Sequence, residues 1–246
     1  MSAPSTNRTP RVVVMGGSSG IGEATAALFA GAGAEVVVTG RGQDKLDAAV
    51  ARLGGKTTGH RLDATDAAQI AAFFEQSGPI DHLVIAVSGS AGSGPFAELD
   101  LDHLAAGFDG KFWPQVRIIK AALPHMDSNG SITLITAASA HAAFPATAGL
   151  AAINGALNAM VAPLAVELAP LRVNAVAPGV IDTEWWERVP EDRRRALFDG
   201  LAATTPVGRV GDPAEVARAV HLLATNGFVS GVVLDVTGGA NLPTGR

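Results

Sequence analysis

Two sets of side chains in this sequence have types and spacings suited to chemistry. The first is the run Gly16-Gly17-Ser18-Ser19-Gly20-Ile21-Gly22, which follows a β-branched segment and leads into a helical pattern with Ile21, Ala24 and Leu28 on one face. Glycines there let the backbone turn tightly and approach a pyrophosphate, whose charge would rest on the amides of the helix N-terminus. Gly17 and Gly22 also have P-loop spacing, but Glu23 and Ala24 stand where Lys and Ser/Thr would be needed, so that reading fails. An NAD site places an acid about 20 residues further on, for the ribose 2′-hydroxyl. Here Val38-Thr39-Gly40-Arg41 offers a guanidinium instead, suited to a 2′-phosphate, and the pair of features predicts NADP(H).

The second set is sparse. From Ser128 to Val166 there is no Asp, Glu, Lys or Arg. Within that stretch Ser139 and His141 lie in the loop after the fifth expected strand, from which either could reach a substrate, and His141 is its one group that titrates near neutrality by type. Lys111 stands just upstream in Phe108-Asp109-Gly110-Lys111-Phe112-Trp113. Burial there would lower its pKa and make it a proton donor, whereas a snorkelling lysine would only reach solvent. A membrane span needs about twenty continuous apolar residues. The uncharged stretch is broken by Asn129, Gly130, Pro145, Gly149, Asn154, Gly155, Asn158 and Pro163, so it reads as a buried strand and a packed helix.

The elements that must position these groups alternate along the chain. Strands are expected at Arg11–Met15, Glu35–Thr39, Thr58–Leu62, His82–Val87, Ser131–Thr136, Arg172–Ala177 and Val232–Val236. Several are apolar on both faces, as buried parallel strands are. Asp212-Pro213-Ala214-Glu215 has the order of an N-cap, a first-turn proline and a capping box, with Val216, Val220 and Leu223 behind it; Asp66 and Gln69 repeat the pattern before Ile70, Phe73 and Phe74. Pro114 and Pro163 fall inside two other helical patterns. Strand–helix alternation with short connections predicts an α/β, Rossmann-type doubly wound, seven-stranded and mainly parallel sheet with helices on both faces. At 246 residues and 48% hydrophobic content this is one domain, 10–246, after a flexible tail at 1–9 that lacks the apolar core of a signal peptide. A net charge of −5 argues against nucleic acid as a partner, and the absence of cysteine excludes disulfides and fits the cytoplasm.

Four motifs in order make the chain similar to the compact short-chain dehydrogenases/reductases along nearly its whole length. They are Gly16-xxx-Gly20-x-Gly22, Asp63 after the third strand, Asn174 to Thr183, and Val232 to Gly239. The resemblance implies that Asp63 meets the adenine amino group. It also implies that Ala86, Pro178, Gly179, Val180, Ile181 and Thr183 line the nicotinamide and diphosphate, alongside Ser18, Ser19 and Ile21 of the glycine loop. A substrate lid is implied at about 183–205, where Trp185 and Trp186 suit an apolar small molecule, and so is a homodimer or homotetramer built partly on the apolar helix from Gly149 to Leu168. Family members use a tyrosine, a lysine four residues later, a serine and an asparagine for proton chemistry. By resemblance these positions are Leu150, Asn154, Ala137 and Lys111, and the chain contains no tyrosine. The Asn-Asn-Ala-Gly stretch of the family corresponds to Ile85-Ala86-Val87-Ser88, with Ser88 and Ser90 near the nicotinamide edge. Asn154 is left to contact the ribose without the lysine's charge.

The expectation is therefore an NADP(H)-dependent oxidoreductase with a rebuilt proton donor at Lys111, Ser139 or His141 and no metal. Its rivals are a catalytically silent NADP(H) sensor or subunit and a non-redox cyclase or isomerase on the same scaffold.

Overall fold

The computed structural model describes residues 8–89 and 91–242; residues 1–7 of the expected tail, and Ser90, lie outside it. In chain order the elements are β1 Arg11–Met15, α1 Gly20–Gly31, β2 Glu35–Gly40, α2 Gln43–Leu53, β3 Lys56–Arg61, α3 Ala67–Glu75 and β4 Ile80–Ile85. They continue as α4 Leu101–Gly107, α5 Trp113–Ala122, β5 Met126–Ile135, α6 Ala148–Glu167, β6 Arg172–Pro178, α7 Glu191–Thr204, α8 Pro213–Thr225 and β7 Val233–Val236. The strands form a 7-stranded sheet in the order β3-β2-β1-β4-β5-β6-β7. Every pairing in it is parallel, so the sheet is wholly rather than mainly so. Several ends shift: β4 begins at Ile80 and stops at Ile85 rather than Val87, β5 reaches back to Met126, and β3 runs Lys56–Arg61. The β3 shift follows from pairing in register with β2, a tertiary constraint on a polar segment of weak strand propensity.

Strand alternation divides the core in two. On β1, Val13 and Met15 face a cluster with Ile70, Phe73 and Phe74 of α3, Ile118 of α5 and Leu157 of α6. Val12 and Val14 face the other, with Ala26 and Phe29 of α1, Leu46 of α2 and Val220 of α8. Each face of a strand is thus covered by a different helix layer, the condition under which a parallel sheet is stable.

Helix α8 carries the expected device: Asp212 accepts from the Ala214 amide, and Glu215 returns a bond to the Asp212 amide. At α3 the expectation needs correcting. Asp66 caps the Ala68 and Gln69 amides, but the Gln69 carboxamide reaches the Asp66 carboxylate and the Asp63 amide, not the Asp66 amide. The Asp66 amide is already bonded to the Asp63 carbonyl, which leaves Gln69 free to bond elsewhere. A second correction concerns the face of α1. Gly22, Thr25, Ala26 and Phe29 are its buried residues, whereas Leu28 is 36% exposed. Gly22 must lie against Gly16, and that contact sets the rotation of the helix.

The two prolines differ in setting. Pro163 lies inside α6. Pro114 falls in the first turn of α5, directly after a π-helical turn at Phe108–Phe112 that joins α4 to α5. Widening the ladder at that point accommodates a residue without an N–H.

Candidate active site

The glycine loop occupies the crevice where the strand order reverses, between β1 and β4. Gly16 has φ +81, and a Cβ there would stand 3.0 Å from the Ala86 carbonyl oxygen. A Cβ on Gly22 would meet the Gly16 oxygen at 2.1 Å. The chain therefore runs as close to itself here as backbone permits. Ser19, the N-cap of α1, makes no side-chain capping bond, as is also the case at the starts of α2, α6 and α7, whereas Asp66, Asp100 and Asp212 cap their helices. The amides of Gly20, Ile21 and Gly22 are thus left for an anion. Thr183 reaches the same place, its Cγ2 being 3.3 Å from the position a Gly20 Cβ would take.

The residues expected at the adenosine end lie at the tips of β2 and β3. A cleft of about 440 Å³ is lined by Arg41, Arg61, Asp63 and Gln69. The Asp63 carboxylate accepts from the Thr65 amide at 2.9 Å and the Thr65 hydroxyl at 2.8 Å. Those bonds, then the nearby Arg41 charge, hold it below the usual carboxylate range, so it is an anionic acceptor. At the far end Gly179 packs on Thr237 and bonds Val236, while Ile181 bridges to Gly211, so that Pro178, Gly179, Val180 and Ile181 run along the sheet edge toward Thr183.

The groups expected to move protons do not all converge. Lys111 sits in the π-helical turn and is 8% exposed, with its Nζ donating to the Thr136 carbonyl at 3.1 Å. The snorkelling alternative is therefore overturned, and no salt bridge joins Lys111 to Asp109 among the described residues. Burial lowers its pKa from 10.5 to about 8. One turn on, Gln115 donates to the carbonyls of Val87 and Ile135, so the widened helix is pinned to the ends of β4 and β5. The sequence reading missed Gln115; its spacing of four from Lys111, on the same helix face, was the available signal.

Ser139 is buried and accepts from Asn154 Nδ2 at 3.3 Å. The same Nδ2 bonds the Leu150 carbonyl at 2.9 Å, and the Asn154 Oδ1 is buried with no hydrogen-bond partner. A buried acceptor without a donor is costly, and a ligand hydroxyl would satisfy it. His141 goes elsewhere. It is exposed and lies 3.0 Å from Asp235 of β7, drawn off by a carboxylate that β7 supplies. Ser88 is exposed at the end of β4 and contacts only the Gly89 carbonyl, and Ser90 lies outside the described residues.

The segment expected as a lid begins with a tight turn at Glu184–Trp186 and continues into α7. Glu184 pairs with Lys45 of α2 at 2.7 Å, and Trp185 Nε1 reaches the Gly89 carbonyl at 3.4 Å, so the segment spans the groove from both sides. Trp186 folds inward, donating to the Ile181 carbonyl and packing edge-on against Phe198. The Arg188 guanidinium covers the Trp185 ring at 3.3 Å from its centroid. On α7, Arg195 pairs with Glu191 one turn away.

Residues 16–241 match the family described as enoyl-(acyl carrier protein) reductase. The chain is 34% identical to L-fucose dehydrogenase of Mus musculus over 96% of its length and 89% of that protein. It is 32% identical to a 3-oxoacyl-[acyl-carrier-protein] reductase of Thermotoga maritima, covering 92% of this chain and 96% of that one. Its fold superposes on a small-chain dehydrogenase solved in complex with NADPH, with TM-score 0.81 and 31% identity over 96% of this chain and all of the other. The protein thus belongs to the short-chain dehydrogenase/reductase family, a family of oxidoreductases.

Proposed function

We propose that this protein binds NADP(H) and reduces a carbonyl or similar group on an apolar small molecule, with Lys111 as the proton donor. The observation that carries this reading is Lys111 itself: an ammonium buried at the carboxyl end of the sheet, hydrogen-bonded to Thr136 and held near a pKa of 8. A group poised about a unit above neutrality suits general acid work.

The residues present fit the cofactor on structural grounds. The close-packed glycines, the uncapped start of α1 and the unpaired Asn154 Oδ1 are compatible with such a ligand. In this reading Gly16, Ser18, Ser19, Gly20, Ile21, Gly22 and Thr183 hold the diphosphate. Arg41 takes the 2′-phosphate, Asp63 the adenine amino group and Asn154 a ribose hydroxyl. Ala86 and Pro178 to Ile181 line the nicotinamide, from which the hydride is delivered. As negative charge develops on the substrate oxygen, Lys111 stabilises it and passes a proton, help worth roughly 10²–10⁴-fold. Ser139 orients Asn154 rather than touching substrate, and His141, tied to Asp235, takes no part. Trp185 and Trp186 exclude water and favour an apolar substrate. The apolar length of α6, with no charged side chain before Glu167, suits a homodimer or homotetramer, and a cytoplasmic setting belongs to the same proposal. Helix α6 is long and apolar enough to cross a membrane, but it packs Ile153, Leu157 and Val161 into the domain and is read as a core and contact helix.

One observation favours a second reading. Without tyrosine, and with Ala137 and Leu150 at the matching positions, the chain lacks the family's proton donor, as a silent NADP(H) sensor or subunit would. A non-redox enzyme would share that lack. NADPH oxidation across carbonyl and quinone substrates, run beside NADPH titration, separates these. Consumption that falls at least ~10²-fold in Lys111→Met, with NADPH affinity kept within twofold, bears out the first reading. Tight binding with no consumption on any substrate moves the conclusion to the second.

A further inference from the structure

We propose that Arg61 is a second determinant of cofactor choice, forming with Arg41 a two-guanidinium clamp on the ribose 2′-phosphate. The inference rests on the NADP(H) reading above and adds to it a residue that the glycine motif and the β2 terminus do not reveal.

Strand register makes the juxtaposition. Gly40 of β2 pairs with Arg61 of β3, so Arg61 ends its strand beside the residue preceding Arg41. Arg61 Nε donates to the Arg41 carbonyl at 3.1 Å, which fixes the plane of the guanidinium and uses only one of its five donors. Both arginines line the same 440 Å³ cleft, together with Asp63 and Gln69. Gly40 keeps that cleft open toward the glycine loop, since a Cβ there would stand 2.6 Å from the Ser18 hydroxyl.

The charge is unbalanced. Arg8, Arg11, Arg52, Arg195 and Arg209 each pair with a carboxylate. No salt bridge engages Arg41 or Arg61 among the described residues, and the one carboxylate in the cleft is already bonded to Thr65. Gln69 is neutral and occupied with Asp63 and Asp66. Two neighbouring guanidinium groups with free donors and no acid between them match a phosphate dianion, which each can grip with planar, charge-assisted bonds. An NAD ribose, with a hydroxyl at the same place, gives them nothing comparable.

The test is the affinity of the full-length protein for NADPH and for NADH, by fluorescence titration, in wild type, Arg61→Gln, Arg61→Lys and Arg41→Gln. Gln at position 61 retains a donor for the Arg41 carbonyl while losing the charge. Arg61→Gln is expected to weaken NADPH about tenfold or more and to leave NADH within twofold, with the loss shrinking as salt is added. Arg61→Lys is expected to fall between, keeping charge but not the fork. Equal weakening of both nucleotides would mean that Arg61 merely holds β3 in place and would overturn the proposal. So would unchanged NADPH affinity in Arg61→Gln when wild type prefers NADPH. Wild type that does not distinguish the two nucleotides would overturn the NADP(H) reading as well.

Discussion

The nucleotide end of this sheet and its proton-transfer end are made from similar parts and have opposite electrostatic character. At the first, between β1, β2 and β3, backbone does the work: amides at the start of α1, close-packed glycines and two unpaired arginines leave positive potential open to solvent. At the second, between β5 and α6, side chains are apolar or already engaged. Ala137 and Leu150 offer nothing, Asn154 donates to Ser139 and keeps only its Oδ1 unpaired, and the one charge, Lys111, is held by the Thr136 carbonyl. An anion site can be built from main chain and tolerates substitution around it. A proton site needs one particular side chain with one particular pKa, so the identity of single residues decides it.

The sharpest way to break this contrast is to rebuild the second region. In Lys111→Asn/Ala137→Ser/Leu150→Tyr/Asn154→Lys, carbonyl reduction measured with NADPH should exceed that of Lys111→Asn alone by ~10²-fold or more, the usual range for general acid help. No gain would mean that the pocket, and not only its proton donor, differs. The next effect is at the first region. Gly22→Ala would drive a Cβ to 2.1 Å from the Gly16 oxygen, and only movement of α1 can relieve it. Overpacking of this kind costs on the order of 1–3 kcal/mol. NADPH affinity should fall at least tenfold, with a lower thermal midpoint in the same variant; retained affinity would detach the glycine contact from nucleotide binding.

A smaller effect sharpens the account of Lys111. Its folded pKa, about 8, lies below its unfolded value of 10.5. The unfolded chain therefore binds the proton more tightly between those pH values. Burial costs stability in full below pH 8, and that cost disappears as pH rises toward 10.5. The shift corresponds to roughly 3 kcal/mol, offset by about 1–2 kcal/mol for the carbonyl bond that a replacement gives up. Lys111→Met should thus be the more stable protein at pH 7, with the advantage narrowing at pH 9.5; denaturant midpoints at the two pH values report it. Smallest is Asp212→Ala, which removes the α8 cap at a cost of about 1 kcal/mol in thermal stability. NADPH affinity should not change, because α8 is capped by its own side chains whereas the bare end of α1 is kept for the ligand.

Much of this was legible in the chain. Runs such as Arg11–Met15 and Arg172–Pro178 are β-branched and bounded by turn residues, so strand periodicity located them. The glycine loop and the α8 capping box are short-range devices whose residues lie within a few positions of one another. The absence of tyrosine is a fact of composition and needs no fold. Tertiary structure decided the rest. Whether Lys111 snorkels or is buried depends on a π-helical turn and on where Thr136 sits just past β5. His141 left the site because Asp235, distant in sequence, came beside it through the pairing of β6 with β7. The α1 face was misassigned because a backbone contact between Gly16 and Gly22 outweighs the preference of Leu28 for burial. Arg61 became Arg41's neighbour only through parallel register. Local signals fix what a segment can form; which of its side chains meet is set by strand order and packing, where residues far apart in the chain compete for the same space.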